Sequence, residues 1–524
     1  MALCSRCCAS FPSKPDIPPS PVPELIRTYH PPSSFQIRSI QQSISDVQSH
    51  LCKLDDEIMK LENVMDNLRR RRKALHRFTQ EHQAVLSPMR RLPPELLGDI
   101  FNLCLNDLWN NRFFDPREAP LLLSQVCIGW REAALSNAKL WSTISLYLEN
   151  PISESEVALV KTWLGRAGRH PLSIRIVDRW LRETHPVLDL ISSCSDRWQH
   201  VELCVAPSYF ENLNSGLSAL ESASFPGLVK MWTKPINIFL SAPRFHRLHI
   251  CFPISPYMMR VPWNQLTHLR VDLCQFDGCI EIIRQSPNLI HCYLRIASWE
   301  SIPPPTCQIL LSQLRFLCVC SVSNLGDLLD HLTLPALLDI QLEQYEGATE
   351  TPWVDQVISL LHRSSCSIKR LHVDCNRRVS DDHLVRCLQN MPSVTTLELG
   401  GYRASSFGKR AMTKLTRNRA SEPSHWETLP IVPKLQIIKL KYDNSSAFDD
   451  VAFVDMVASR WDFGAASLDG EVARLKTVHV SIFHHSVDVS LVSLRRLRTF
   501  QDNGLDICLR YESSDLLLLA NLDV

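Results

Sequence analysis

The feature that most constrains this chain is a short strand-like core that recurs along its C-terminal part. Apolar–polar–apolar triplets stand at Val201-Glu202-Leu203, Leu248-His249-Ile250, Leu269-Arg270-Val271, Cys292-Tyr293-Leu294, Leu317-Cys318-Val319, Ile340-Gln341-Leu342, Leu371-His372-Val373, Leu397-Glu398-Leu399, Ile438-Lys439-Leu440 and Val478-His479-Val480. From Leu248 to Ile340 the steps are 21, 23, 25 and 23 residues; later steps of 31, 26, 41 and 40 imply insertions. Several units share a lead-in: Pro243-Arg244-Phe245, Pro287-Asn288-Leu289, Pro335-Ala336-Leu337, Pro392-Ser393-Val394 and Pro433-Lys434-Leu435. A proline there stops the preceding helix and turns the chain into the strand. Stretches such as Cys279 to Arg284 and Asp382 to Asn390 read as the intervening helices. One such unit cannot bury its apolar edge alone, so neighbours are expected to stack into a curved parallel sheet with helices outside. An ordinary α/β domain is the competing reading, and it leaves the shared lead-in unexplained.

Two units extend further, as Leu266-x-x-Leu269-x-Val271-x-x-Cys274 and Ile368-x-x-Leu371-x-Val373-x-x-Asn376. These resemble degenerate leucine-rich repeats. The resemblance implies that the Cys or Asn side chain satisfies backbone groups at the turn after the strand. Alternation along a strand then puts the middle residue of each triplet on the concave face. His249, Arg270, His372, Glu398 and Lys439 are the candidates for touching a target protein there. Upstream, Ser153 to Arg166 reads as a helix with Val157, Val160, Trp163 and Leu164 on one side, and Pro171 to Ile176 alternates like a strand.

The N-terminal part has another texture. Residues 1–35 carry Pro12, Pro15, Pro18, Pro19, Pro21, Pro23, Pro31 and Pro32 and read as a disordered tail. Over 36–86, Ile37, Ile44, Leu51, Ile58 and Met65 fall at a positions, and Ile40, Val47, Leu54, Leu61, Leu68 and Leu75 at d positions; only Arg72 breaks the seam. A period of 3.5 is the coiled-coil signature. The rod would run roughly 58 Å at ~1.5 Å per residue. A second copy in a parallel homodimer is the simplest cover for this stripe; packing onto the later domain is the alternative. The run Arg69-Arg70-Arg71-Arg72-Lys73 reads as a solvated helical face, with a nuclear localisation signal as the alternative.

Between rod and repeats, over 88–148, Leu92-Pro93-Pro94-Glu95-Leu96-Leu97 opens a helix. Leu96, Leu97, Ile100, Phe101 and Cys104 recur on one apolar face. A second helical stretch is expected from Leu121 to about Ser136, then Leu140-Trp141 and a strand from Ser142 to Leu148. This order resembles the F-box: Leu-Pro-x-Glu-Leu-Leu, Ile-Phe, Val-Cys-x-x-Trp-Arg, Leu-Trp. With Ala119-Pro120-Leu121-Leu122-Leu123 and the upstream coiled coil, it is similar to the fungal F-box-like group of mushroom-forming species. Two departures stand out: an insert at Asn106 to Glu118, and Ile128 where the family often has a basic residue. The resemblance implies a small three-helix module that docks a Skp-type cullin adaptor through Leu92, Pro93, Leu96, Ile100, Val126 and Trp130.

The overall expectation is an α/β chain: a coiled-coil helix, a three-helix F-box module, then a leucine-rich-repeat-like solenoid over 149–524. Lys and Arg number 56 against 55 for Asp and Glu, so charge supplies no reason to expect nucleic acid or an anionic membrane. No apolar run approaches a membrane span, and no signal peptide is legible. The 19 cysteines are dispersed, which points to a reducing compartment, cytoplasm or nucleus, with the thiols acting mostly as small buried hydrophobes. Cys4-x-x-Cys7-Cys8 lacks a second pair, and His479, His484 and His485 lack ligand partners at zinc spacing. No phosphate loop, dinucleotide fingerprint, zincin motif or nucleophile elbow is present. No cofactor, metal or catalytic residue is therefore expected. The resemblance implies a substrate receptor of a Skp–cullin–F-box ubiquitin ligase. A non-catalytic interaction scaffold is the alternative, and an enzyme with a dispersed site is a third.

Overall fold

The computed structural model describes residues 2–3, 10–11, 17–105, 115–148, 154–178, 185–206, 208–211, 213, 216–226, 235–251, 257–298, 308–321, 325–344, 353–375, 380–400, 407–417, 431–442, 448–461, 472–482, 489–511 and 514–515. The chain is mixed α/β and divides into two units, Met1–Leu96 and Leu97–Val524.

The first unit is dominated by helix α1, Ser34–Val85, 52 residues long. Ser33 starts it with a capping box: its hydroxyl accepts from Gln36 N–H, and the Gln36 side chain accepts from Ser33 N–H. Pro88 begins a short 3-10 turn, Pro88–Arg91, that ends the rod. No residue of α1 is buried. Ile44, Leu51, Leu54, Ile58, Leu61, Met65, Leu68 and Leu75 are all about half exposed or more, so the heptad stripe lies in solvent. Of the 1–35 tail, residues 1, 4–9 and 12–16 lie outside the described residues, as does the Cys4-x-x-Cys7-Cys8 cluster.

Helix α2, Pro94–Leu103, has two apolar faces rather than the single one expected. Leu97 and Phe101 are buried, whereas Leu96, Ile100 and Leu103 point outward. The expected helix from Leu121 to Ser136 is in fact two, α3 (Leu123–Val126) and α4 (Ile128–Ser136). Cys127 between them is fully extended, at φ −160° and ψ 172°, and its sulfur accepts the Trp130 N–H as a cap. Of the Asn106–Glu118 insert, 106–114 lie outside the described residues. Asn137 Nδ2 donates to Gly98 O at 3.1 Å, Phe101 meets Trp130 at 4.9 Å, and Trp141 Nε1 donates to Ala134 O at 2.8 Å. These contacts tie α2 to α4, and α4 to the 3-10 turn Ala138–Trp141 that leads into the sheet.

That sheet has fifteen strands among the described residues, in the order of the chain. They are β1 (Thr143–Tyr147), β2 (Leu172–Val177), β3 (Trp198–Cys204), β4 (Ser222–Phe225), β5 (Arg247–Ile250), β6 (His268–Gln275), β7 (His291–Ser298) and β8 (Phe316–Ser321). There follow β9 (Asp339–Gln344), β10 (Arg370–Cys375), β11 (Thr396–Gly400), β12 (Ile437–Tyr442), β13 (Thr477–Ile482), β14 (Asp506–Tyr511) and β15 (Ser514–Asp515). All neighbours pair in parallel except β14 with β15. Every triplet read from the sequence lies in a strand, and the first residues of the triplets align. Val201, Ala223, Leu248, Leu269, Cys292, Leu317, Ile340, Leu371, Leu397, Ile438, Val478 and Ile507 form one buried row across the sheet. Helices such as Phe276–Gln285, Val354–Ser364, Asp381–Gln389 and Asp450–Trp461 cover that side with Ile280, Ile283, Leu360, Leu384, Phe453 and Val457. The alternate residues form the opposite, polar face. Ala223 and Ile507 belong to strands that the triplet pattern does not single out.

Candidate interaction surface

The five target-contact candidates stand in one row of the polar face. His249 pairs with Arg270, Arg270 with Tyr293, Tyr293 with Cys318, Cys318 with Gln341, Gln341 with His372, His372 with Glu398, and Glu398 with Lys439. Parallel pairing in constant register is what converts a sequence triplet into a cross-strand row. A second row beside it holds Arg247, His268, His291 and Phe316. Sequence reasoning missed it by taking only the middle residue of each triplet; the residue two positions earlier shares its face.

A cavity of about 440 Å³ opens where these rows meet, lined by His249, Arg270 and Tyr293 from one and by Arg247, His268, His291 and Phe316 from the other. Its floor is a layer of flat groups. His268 and His291 stack at 4.6 Å with 10° between their planes, and the Arg270 guanidinium carbon sits 4.2 Å over the Tyr293 ring. Burial, then the neighbouring His291 and Arg247 charges, push His268 down to about 4, so its ring is neutral at pH 7. His372, Glu398 and Lys439 lie further along the row and do not line the cavity. They form their own cluster, with Lys439 Nζ 2.6 Å and His372 Nδ1 3.3 Å from the Glu398 carboxylate.

At the other end of the row a polar chain crosses three strands. Ser224 Oγ is 2.9 Å from His249 Nδ1, and His249 Nε2 is 2.9 Å from Asp272 Oδ2. Arg270 Nε is 3.0 Å from the same oxygen. Burial raises the Asp272 carboxyl, but the bonds from His249 and Arg270 outweigh it and hold the group below its ordinary value. The order Ser–His–Asp matches a hydrolytic triad, yet Ser224 sits inside a strand paired on both edges. The backbone N–H groups around it are committed to the ladder, which leaves none to build an oxyanion hole.

The sequence-derived adaptor residues are placed as follows. Leu92 is half-buried, and Pro93, Leu96, Ile100 and Val126 are exposed. Trp130 is half-buried against Phe101. Leu103, Leu122 and Ile128 are also exposed, at 86%, 46% and 73%, and sequence reasoning did not single out any of them for adaptor contact.

Twelve described cysteines stand outside any disulfide, four of them buried. Against the expectation of unpaired thiols, Cys274 and Cys279 are joined. Cys274 Sγ is also 3.4 Å from Arg295 O, the backbone contact that the repeat resemblance implies. A bonded sulfur has no proton to donate, so that hydrogen bond belongs to the reduced form alone. Asn376, its counterpart in the other full unit, lies outside the described residues, as do His484 and His485.

No protein-family model and no curated protein matches the chain. Among solved structures it is similar to TLR13 in a crystal structure of a TLR13–ssRNA13 complex, at 13% identity and a TM-score of 0.27, over 65% of this chain and 58% of that one. The chain thus spans less than two thirds of that protein, and likeness at this level carries no functional inference. No helix among the described residues is long and apolar enough to cross a membrane.

Proposed function

We propose that this chain is the substrate-recognition subunit of a Skp–cullin–F-box type ubiquitin ligase, built from an F-box module and a leucine-rich-repeat-like solenoid and working in the cytoplasm or nucleus. The receptor does no bond chemistry. It holds a protein target near the charged ubiquitin carrier and raises its effective concentration. The F-box helices dock a Skp-type adaptor, the polar sheet face reads the target, and the α1 stripe pairs with a second copy.

The observation that carries this reading is the division of α2. Leu97 and Phe101 face inward, while Leu96 and Ile100 stay in solvent at 50% and 38% exposure; Val126 at the end of α3 is 57% exposed. Apolar side chains left wet on the very helices that carry the F-box pattern are what a docking partner would cover.

Co-purification with a Skp-type adaptor tests it. The full chain should retain the adaptor, and the Ile100→Asp/Val126→Asp double variant should bind about 100-fold more weakly, or ~2.7 kcal/mol for two interface anchors. Equal binding by both forms would sink the assignment, provided circular dichroism shows an unchanged fold. A second reading, an interaction scaffold without ligase function, shares the exposed α1 stripe and the same sheet face. Adaptor binding without cullin-dependent turnover of any partner would favour it.

A further inference from the structure

We propose that His249, Cys251 and Asp272 form a zinc site at the edge of the polar sheet face. Their donor atoms converge on one point: His249 Nε2 to Asp272 Oδ2 is 2.9 Å, Cys251 Sγ to His249 Nε2 is 3.0 Å, and Cys251 Sγ to Asp272 Oδ2 is 3.4 Å. One imidazole, one thiolate and one carboxylate is a donor set suited to zinc, whose bond lengths of ~2.0–2.3 Å put tetrahedral neighbours ~3.3–3.8 Å apart. Closing on an ion requires only a few tenths of an ångström of spreading. Three protein donors leave the fourth position for water or for a donor atom of a bound partner.

Three further features converge on the same point. Asp272 has a side chain only 7% exposed, and its Oδ1 accepts no hydrogen bond. A buried carboxylate oxygen without a hydrogen bond is costly, and the nearest cation, the Arg295 guanidinium at 3.7 Å, stands beyond hydrogen-bond reach. Leu273, next in the chain, is a non-glycine residue at φ 60°, where the β6–β7 register shifts between Val271 and Cys274. That left-handed kink costs roughly 1–2 kcal/mol and places Asp272 beside His249 and Cys251. Finally, Ser224 Oγ at 2.9 Å from His249 Nδ1 can take that nitrogen's proton as acceptor, which directs the Nε2 lone pair at the ion.

Two guanidiniums stand at the outer side of the carboxylate, Arg270 Nε 3.0 Å from Oδ2 and Arg295 Nε 3.7 Å from Oδ1. They weaken the site relative to an all-anionic one. The ion's charge is nonetheless matched by the thiolate and the carboxylate together. A second cluster, Cys318, Cys320 and Glu343, has no imidazole, its two sulfurs are fully buried, and the Cys320 thiol is committed to Glu343 at 2.6 Å.

The test is titration of the reduced, chelator-treated full chain with Co2+ as the optical probe, followed by Zn2+. One cobalt per chain should give thiolate-to-metal charge-transfer absorption, bleached by one equivalent of zinc. Cys251→Ser should abolish the band, His249→Gln should weaken binding, and Ser224→Ala should weaken it ~10–100-fold. Cys320→Ser should leave it unchanged. No band in the wild type, or a band lost in Cys320→Ser and kept in Cys251→Ser, overturns the proposal. His249→Gln keeps the test decisive should Cys251→Ser fail to fold. The result does not depend on adaptor docking, so the two proposals stand or fall separately.

Discussion

Lys439 Nζ lies 2.6 Å from Glu398 Oε1 across the β11–β12 pair, although 41 residues separate the two in the chain. Burial pushes the Glu398 carboxyl up, but the Lys439 hydrogen bond and charge, with His372, hold it below the ordinary carboxylate value. The pair therefore contributes stability above that value and loses it as pH falls through the depressed one. Both side chains are partly exposed, so Glu398→Gln should lower stability by only ~0.5–1 kcal/mol at pH 7. Urea midpoints read this: the gap between wild type and variant should close as pH falls through the depressed carboxylate value. A gap that stays constant with pH would show that the ion pair is not its source.

His268 gives a second pH signature of the same sense. Its folded value near 4 lies below the unfolded 6.5, so the unfolded chain takes up the proton first as pH drops. Stability from this group is complete above 6.5 and declines between 6.5 and about 4. The ring is partly exposed, so the contribution is at most ~1 kcal/mol after solvent screening. Replacing it in His268→Asn should flatten the melting-temperature profile over that window. A profile as steep as the wild type's would refute the assignment to His268.

Arg460 is fully buried and has no carboxylate partner among the described residues. It donates instead to three carbonyls, Leu415 O at 2.6 Å, Val432 O at 3.1 Å and Ile431 O at 2.9 Å. Burial pulls its guanidinium down to about 10. The side chain clamps the segments before β12 onto the helix Asp450–Trp461. Arg460→Met removes the buried charge but strands three acceptors, so a loss of about 2–4 kcal/mol is expected in chemical denaturation. A neutral result would mean that water satisfies those carbonyls.

The α1 stripe predicts concentration-dependent assembly. Light scattering should give twice the chain mass for the wild type and one chain mass for Ile58→Asp/Leu61→Asp, which puts charge in adjacent a and d positions. Sheet stability should not change, since no residue of α1 is buried. A monomeric wild type at high micromolar concentration would exclude the homodimer.

Much of this architecture is legible in the sequence because its signals are local. Alternation of period two marks the ten triplets and Pro171–Ile176, prolines lead into five of the triplets, and the heptads mark α1. The strand Ser222–Phe225 escapes because Ser-Ala-Ser-Phe has neither a bulky apolar pair nor a proline lead-in. The strand Asp506–Tyr511 escapes because Gly504, at φ 96°, makes the turn that proline makes elsewhere. The break between α3 and α4 is hidden because Cys127 reads as a helix-compatible residue, while its extended backbone is decided by capping. The two faces of α2 are hidden for a related reason: Leu96, Leu97, Ile100 and Phe101 are equally apolar, and only packing against Trp130 and its neighbours selects which are covered.

The sequence by itself determined which residues face the core and which face the polar side, because side-chain direction along a strand follows from local alternation. It also determined the seam of α1, through heptads broken only at Arg72. Only the tertiary structure decided who meets whom across strands. Ser224, His249, Cys251 and Asp272 come from three units of unequal length, and their meeting depends on register and on the left-handed residue at Leu273. Register is a property of whole repeats packed side by side, and no local pattern carries it.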